Sequence, residues 1–269
     1  MSMKRRWPKS AARQKRPDRA MWEAGTGTTG WRRVAHHPAL AAWAQAARSP
    51  AAAAVTASTD WRCGGTWCVG LDALDNDEAG RVGGVDLPWQ VLGLAPQPLH
   101  RAQVSTTRPG YPQPSEAESE AAYRFRLNRD SAHLDGLLPL GPEKRRYVKE
   151  PHGWILGLPL NAADAGAAPL VVWEGSHLLM RAALRRAFAG QPGDWADVDI
   201  TDAYQAARAE VFRTCRRVEL PGRPGEAVVL DRHLIHGVAP WADGAQAEAP
   251  GRMVAYFRPL MPSVRDWVG

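Results

Sequence analysis

Apolar positions along the chain divide it into a helical front and a strand-rich remainder. His37-Pro38 is followed by an alanine-rich run over 39–47, with Leu40 and Trp43, that predicts a short helix. Ser49-Pro50 then opens a second such run over 51–57, with proline at a helix-start position. Residues 61–74 mix Trp, Cys, Val and Gly and predict a strand and turn. Asp75-Asn76-Asp77 and the glycines of 80–84 are turn chemistry. Residues 99–107 predict a strand and 108–112 a loop. Tyr123-Arg124-Phe125-Arg126-Leu127 alternates apolar with charged, the period of a half-buried strand. Further strands are predicted over 154–160, 169–173, 218–220, 225–230, 234–238 and 252–258, and amphipathic helices over 176–188 and 202–215. Helices in front of many short strands with Gly/Pro turns argue for an α+β, mainly β architecture: a barrel or sandwich buttressed by helices.

Composition changes this picture little. The apolar share of 45% is ample for a core. The net charge of +6 is local. Lys4, Arg5, Arg6, Lys9, Arg13, Lys15, Arg16 and Arg19 stand against Asp18 in the first twenty residues, so the rest of the chain is close to neutral. Residues 1–20 therefore read as a basic, disordered tail, either simply solvated or making weak phosphate or membrane-surface contacts. Residues 21–269 read as a single domain whose β core spans about 99–260. No specific nucleic-acid partner is expected. No apolar run is long enough for a membrane span, and no apolar segment follows the basic start as a secretory signal would. Cys63, Cys68 and Cys215 lack the paired spacing of a structural zinc site and fit reduced thiols in a cytoplasmic protein.

The candidate chemistry lies in the strand-rich part. His133-Leu134-Asp135 places an imidazole and a carboxylate at i and i+2, which on a strand point to the same side. His236 ends an apolar strand, where a buried imidazole needs a partner or a metal. Two imidazoles and one carboxylate can hold one face of an octahedral iron(II) ion and leave the other open. The plain alternative is a satisfied histidine with a turn aspartate before Gly136. His233 competes with His236, and its closeness to Asp231 suits a supporting place. Arg252 opens an alternating strand, where a guanidinium suits a bidentate carboxylate pair, and Arg258 at the other end could share that role.

These residues resemble the phytanoyl-CoA dioxygenase-like branch of the iron(II)/2-oxoglutarate-dependent oxygenases. The resemblance covers residues 99–260 and rests on four motifs in order. They are His133-Leu134-Asp135, an apolar strand followed by Gly175-Ser176-His177, a Gly-acid-apolar strand ending in His236-Gly237, and an Arg252-led strand. It implies a double-stranded β-helix, a jelly-roll or cupin-like barrel. It implies His133, Asp135 and His236 as ligands of Fe(2+), with 2-oxoglutarate and O2 as co-substrates. It further implies Arg252 as the anchor of the distal carboxylate of 2-oxoglutarate, Trp154 on a strand lining that pocket, and His177 as structural. A segment over 242–250 lengthens the interval between His236 and Arg252 relative to the family pattern. Asp135 stands where the family's halogenases carry a small residue, which favours hydroxylation of a small organic molecule with release of succinate and carbon dioxide. Two rivals keep the fold: a non-catalytic ligand-binding or scaffold protein, and a cupin-like metal enzyme that uses no 2-oxoglutarate.

The substrate is not specified by these motifs. The twelve tryptophans suit core packing or an aromatic-lined pocket. Arg124, Arg126, Lys144, Arg145, Arg146 and Lys149 could receive an acidic substrate or a phosphate-bearing carrier, or form a solvated face.

Overall fold

The computed structural model describes residues 24–115 and 118–269, so the basic tail at 1–20 lies outside the described residues. In chain order the elements are β1 (Trp31–Val34), α1 (Pro38–Ala57), β2 (Trp61–Arg62), β3 (Trp67–Cys68), α2 (Trp89–Leu92), β4 (Gln103–Thr107) and α3 (Glu120–Asn128). Then follow β5 (Leu137–Leu140), β6 (Arg145–Val148), β7 (Trp154–Pro159), β8 (Leu170–Trp173), α4 (Ser176–Phe188), α5 (Thr201–Thr214), β9 (Arg217–Leu220), β10 (Ala227–Asp231), β11 (His236–Val238), β12 (Arg252–Phe257) and α6 (Val264–Val268).

The strands form a seven-stranded antiparallel sheet in the order β1-β10-β7-β12-β4-β3-β2, a three-stranded sheet β11-β8-β9 and a β5-β6 hairpin. The larger sheet is open, with β1 and β2 at its edges. Fold class thus agrees with expectation at the level of antiparallel sheets buttressed by helices.

Strand alternation sorts the apolar side chains into layers. Trp154, Leu156 and Leu158 of β7, Val229 of β10 and Met253, Ala255 and Phe257 of β12 face a helical layer led by α1. Ile155, Val228, Leu230 and Tyr256 face the other way, against Leu170, Val172, Leu220 and Leu234. The outer face of the small sheet, Val171 and Trp173, packs under α4, α5 and α6 through Met180, Leu184, Phe188, Val211 and Trp267. Covered on both faces, β7, β8 and β10 read in sequence as unbroken apolar runs.

Two expectations are corrected. The predicted pair of short helices is one helix, α1, which runs through Pro50. Its buried stripe (Leu40, Trp43, Ala44, Ala47, Ala51, Val55) continues at helical spacing across the proline, which is itself exposed. Packing along that stripe outweighs the roughly 3 kcal/mol that an interior proline costs.

The predicted strand at Tyr123–Leu127 lies inside α3. Ser119 caps it by accepting from Ala122 N, and Glu120 and Arg126 complement the helix dipole at its two ends. Five alternating residues are too few to separate a strand from a two-turn surface helix, and no residue of α3 is buried. His133-Leu134-Asp135 consequently follows a helix and lies in the connection between α3 and β5.

Candidate metal centre

The connection after α3 is fixed by backbone pairing. His133 N donates to His236 O at 2.9 Å and His236 N to His133 O at 3.2 Å, so the two histidines face each other across an isolated antiparallel bridge. Val238 N donates to Asp130 O at 2.8 Å, which continues the contact along β11. Gly237 is required there, because a Cβ on it would lie 2.1 Å from Asp130 O. Asp130 is in turn clamped by Arg217, whose Nε and Nη2 donate to its two carboxylate oxygens at 2.7 and 2.8 Å.

Alternation within the His133 segment sends Leu134 into the core under α4 and α5. His133 and Asp135 turn the other way, towards His236. One ligand atom from each of His133, Asp135 and His236 lies within 4.8 Å of the other two. His133 Nε2 is 3.1 Å from Asp135 Oδ1, His236 Nε2 is 3.8 Å from Asp135 Oδ2, and the imidazole centroids are 4.6 Å apart. Both Nδ1 atoms are 2.9 Å from the carbonyl two residues earlier, Ser131 O and Leu234 O. Those carbonyls only accept, so each Nδ1 carries its hydrogen and each Nε2 is turned into the site as a donor atom for a cation.

Burial pushes the His236 imidazole down to about 4, against the pull of Asp135, so it is neutral at physiological pH. Burial alone would raise Asp135. The Arg258 guanidinium and the hydrogen bond from His133 outweigh it and hold the carboxyl well below the usual range. The surroundings of His133 disfavour its charged form, but the hydrogen bond and charge of Asp135 more than compensate and raise it. An ionised carboxylate and two Nε2 donors on one side, with the other side open, form a triad that can hold a divalent cation of borderline hardness.

Two cavities reach this triad, and a third adjoins them at Arg258. An apolar one of about 220 Å³ runs between the sheets and is lined by Trp67, Gln103, Ser105, Ile155 and Tyr256 together with the triad. A more polar one of about 590 Å³ reaches His133 and Asp135 from the α3 and α5 side. A third, of about 370 Å³, is lined by His100, Glu150, His152 and Leu260. Arg258 lines all three, donating to Asp135 Oδ2 at 3.1 Å and to Gln103 Oε1.

The remaining expected site residues fall into place by parity. Arg252 is buried and lies on the same face of β12 as Tyr256 and Arg258, farther from the triad. Its guanidinium makes no hydrogen bond or ion pair among the described residues, and it does not line the 220 Å³ cavity. Trp154 is fully buried on the opposite face of β7, edge-on to Trp89 at 6.3 Å, and the cavity is lined by its neighbour Ile155. Trp154 thus lies on the face of β7 turned away from this cavity. His233 is fully buried, accepts from Arg181 and packs on Trp267 at 4.4 Å, away from the triad. His177 faces Gly27 O at 3.2 Å, a structural contact. Sequence reasoning did not single out Gln103, Ser105 or Tyr256, although Gln103 and Ser105 stand at alternate positions of the predicted 99–107 strand.

No family model matches the chain, and no curated protein matches it. Among solved structures it is similar to SnoK, a non-heme alpha-ketoglutarate-dependent carbocyclase from nogalamycin biosynthesis. Identity is 13% over 89% of this chain and 85% of that one, with a TM-score of 0.46. It is similar to AviO1 from Streptomyces viridochromogenes Tue57 at 18% identity, covering 93% of this chain and 98% of that one, with a TM-score of 0.42. A third similar structure is EctD from S. alaskensis with 2-oxoglutarate and 5-hydroxyectoine, at 15% identity, 94% and 85% coverage and a TM-score of 0.42.

Proposed function

We propose that this protein is an iron(II)- and 2-oxoglutarate-dependent oxygenase of the phytanoyl-CoA dioxygenase-like branch that hydroxylates a small organic molecule. In this reading the two facing sheets are the halves of a double-stranded β-helix, within one domain over 21–269. The observation that carries the reading is the convergence of His133, Asp135 and His236, with ligand atoms within 4.8 Å and both Nε2 atoms turned inward by backbone acceptors on Nδ1. The donor set fits iron(II): two imidazole nitrogens and a carboxylate oxygen on one face, the other face open.

Iron(II) with 2-oxoglutarate and O2 would supply the oxidising power, releasing succinate and carbon dioxide. The chain supplies the rest. His133 and His236 are held by one backbone bridge, so their Nε2 atoms keep a fixed separation. Asp135 provides the anionic ligand, and its hydrogen bond from Arg258 orients it. Arg252, a buried guanidinium without a partner among the described residues, suits the distal carboxylate of 2-oxoglutarate, a planar anion that its fork can grip at two points. Ile155, Leu170 and Tyr256 keep the inner cavity apolar and restrict water.

The test is succinate formation from 2-oxoglutarate with iron(II) and ascorbate. Wild-type protein is expected to turn over slowly without further substrate, and Asp135→Ala to lose that activity. Iron binding without any succinate would overturn the 2-oxoglutarate assignment and favour another metal enzyme. Failure to bind iron(II) would overturn the metal centre itself.

A further inference from the structure

The 590 Å³ cavity reaches the triad from the side of its half-exposed ligand, His133, and it is rich in arginine. Arg126, Arg146, Arg208 and Arg258 all line it. Two of these are matched by carboxylates: Arg126 by Glu118, and Arg258 by Asp135. Neighbouring cations are matched as well, Arg145 by Asp199 and Lys149 by Asp197. Arg146 and Arg208 differ. Both are half-buried, and among the described residues neither has a carboxylate within ion-pair distance.

Both are also anchored. Arg208 lies over the rings of Phe125 and Tyr204, at 4.9 and 5.1 Å from their centroids. Arg146 is tied through its backbone to the start of α5, donating to Thr201 Oγ1 at 2.7 Å and accepting from Ile200 N at 3.0 Å. Arg208's guanidinium is held by its rings and Arg146's by its backbone only at the root, and two guanidinium groups lining one cavity repel each other until an anion enters between them. Their planar forks match the oxygens of a carboxylate or phosphate.

We propose that this cavity admits the molecule to be oxidised, and that the molecule carries a carboxylate or phosphate held by Arg146 and Arg208. Its remainder then lies towards His133 and Asp135, at the open side of the triad. This names the substrate class for the metal centre and so rests on the reading above. It does not depend on Arg252 or on the inner cavity.

Phenyl phosphate and benzoate are suitable probes, each pairing one anionic group with a ring. Binding to the full chain is followed by ligand-observed NMR at fixed ionic strength, while Mn(2+) binding is followed separately by EPR. Wild-type protein is expected to bind at least one probe, and the tighter of the two assigns phosphate or carboxylate. The double variant Arg146→Gln/Arg208→Gln should weaken that binding at least 10-fold and leave Mn(2+) affinity unchanged. The charge-preserving Arg146→Lys and Arg208→Lys, which keep the fold, should weaken it a few-fold. Arg124→Gln, on the exposed side of α3, should have no effect. Equal binding by wild type and the double variant, or no binding of either probe, overturns the proposal. If wild-type protein binds the probes through these arginines but binds no Mn(2+), the anion site stands and the metal assignment falls.

Discussion

Replacing Gly237 by alanine tests how the two histidines are placed. The added Cβ would lie 2.1 Å from Asp130 O and 3.1 Å from Ala132 N, whereas such contacts are not found below 3.0 Å, so the two segments must separate by about 0.9 Å. Three backbone hydrogen bonds cross this gap: His133 N to His236 O, His236 N to His133 O, and Val238 N to Asp130 O, at 2.9, 3.2 and 2.8 Å. Losing them costs about 3 kcal/mol at roughly 1 kcal/mol each. For a domain of this size that is a fall in melting temperature of about 6–12 °C. The effect on the metal is larger in kind. Metal–ligand bonds tolerate only about 0.2 Å, so displacing His236 against His133 by several times that amount should weaken Mn(2+) binding about 100-fold or more. EPR titration gives the affinity and circular dichroism the melting temperature. His133→Ala, which truncates a half-exposed side chain, should abolish tight metal binding with little change in melting temperature. Gly237→Ala should lower both. A Gly237→Ala protein that binds Mn(2+) within threefold of wild type would refute the argument that this close backbone approach sets the ligand geometry.

Arg252→Met should weaken 2-oxoglutarate binding about 100-fold, the loss of a bidentate charge-assisted pair worth about 3 kcal/mol, and leave Mn(2+) affinity intact; calorimetric titration of each ligand checks this. Arg258→Met should instead weaken the metal about 10- to 100-fold, because Asp135 loses the donor that orients it. Trp154→Phe should leave 2-oxoglutarate binding unchanged, while Trp154→Ala should cost about 3–5 kcal/mol of stability in urea denaturation. Acid should destabilise the fold through His177, His233 and His236, each held below the ordinary 6.5 chiefly by burial. The unfolded chain takes up protons there that the folded chain refuses, so their contribution is full above about pH 6.5 and falls as the pH drops below it, for His236 by up to about 1.4 kcal/mol per pH unit. For His236 that window ends near pH 4. His133, raised, contributes in the opposite sense: its stabilisation is present below pH 6.5 and is lost as pH rises through its elevated value. Urea midpoints that stay flat between pH 7 and 5 would contradict the burial argument.

The strands that carry the core were legible because each is covered on both faces and spells out its burial, as in Trp154-Ile155-Leu156 and Val228-Val229-Leu230. The helix over 176–188 was legible from its own amphipathic spacing. The segments that misled are those whose structure is decided by something outside the window. Pro50 predicts a break, and only the stripe packed beneath α1 shows why the helix passes through it. Tyr123-Arg124-Phe125-Arg126-Leu127 carries a period-2 pattern, yet the capping Ser119 and the contact of Phe125 with Phe212 at 6.2 Å place it on a helix. β1 went unseen because its four residues, two of them arginine, become a strand only by pairing with β10. In the site, the triad could be named from residue type and spacing. The choice between Trp154 and Ile155 could not, since a strand buried on both faces gives no hint of which parity faces the cavity.

The three candidate ligands are not held alike, and this decides where the site can adjust. His133 and His236 share one backbone bridge, and each is further fixed by an Nδ1 contact to its own chain at 2.9 Å. Moving either ring therefore means breaking main-chain hydrogen bonds. The backbone of Asp135 takes part in no such bridge. Its carboxylate is positioned by side chains alone, His133 on Oδ1 and Arg258 on Oδ2, both at 3.1 Å. A cation bound at the triad must displace the His133 contact, whereas the Arg258 contact can persist because it uses the other oxygen. Asp135 could then offer Oδ1 to a cation while Arg258 keeps its hydrogen bond on Oδ2. Arg258 also lines both described cavities that reach the triad, so a ligand entering either meets the residue that sets the carboxylate's position. In the proposed centre Arg258 and Asp135 would thus be the adjustable pair, and the two histidines, joined by their backbone bridge, the fixed frame.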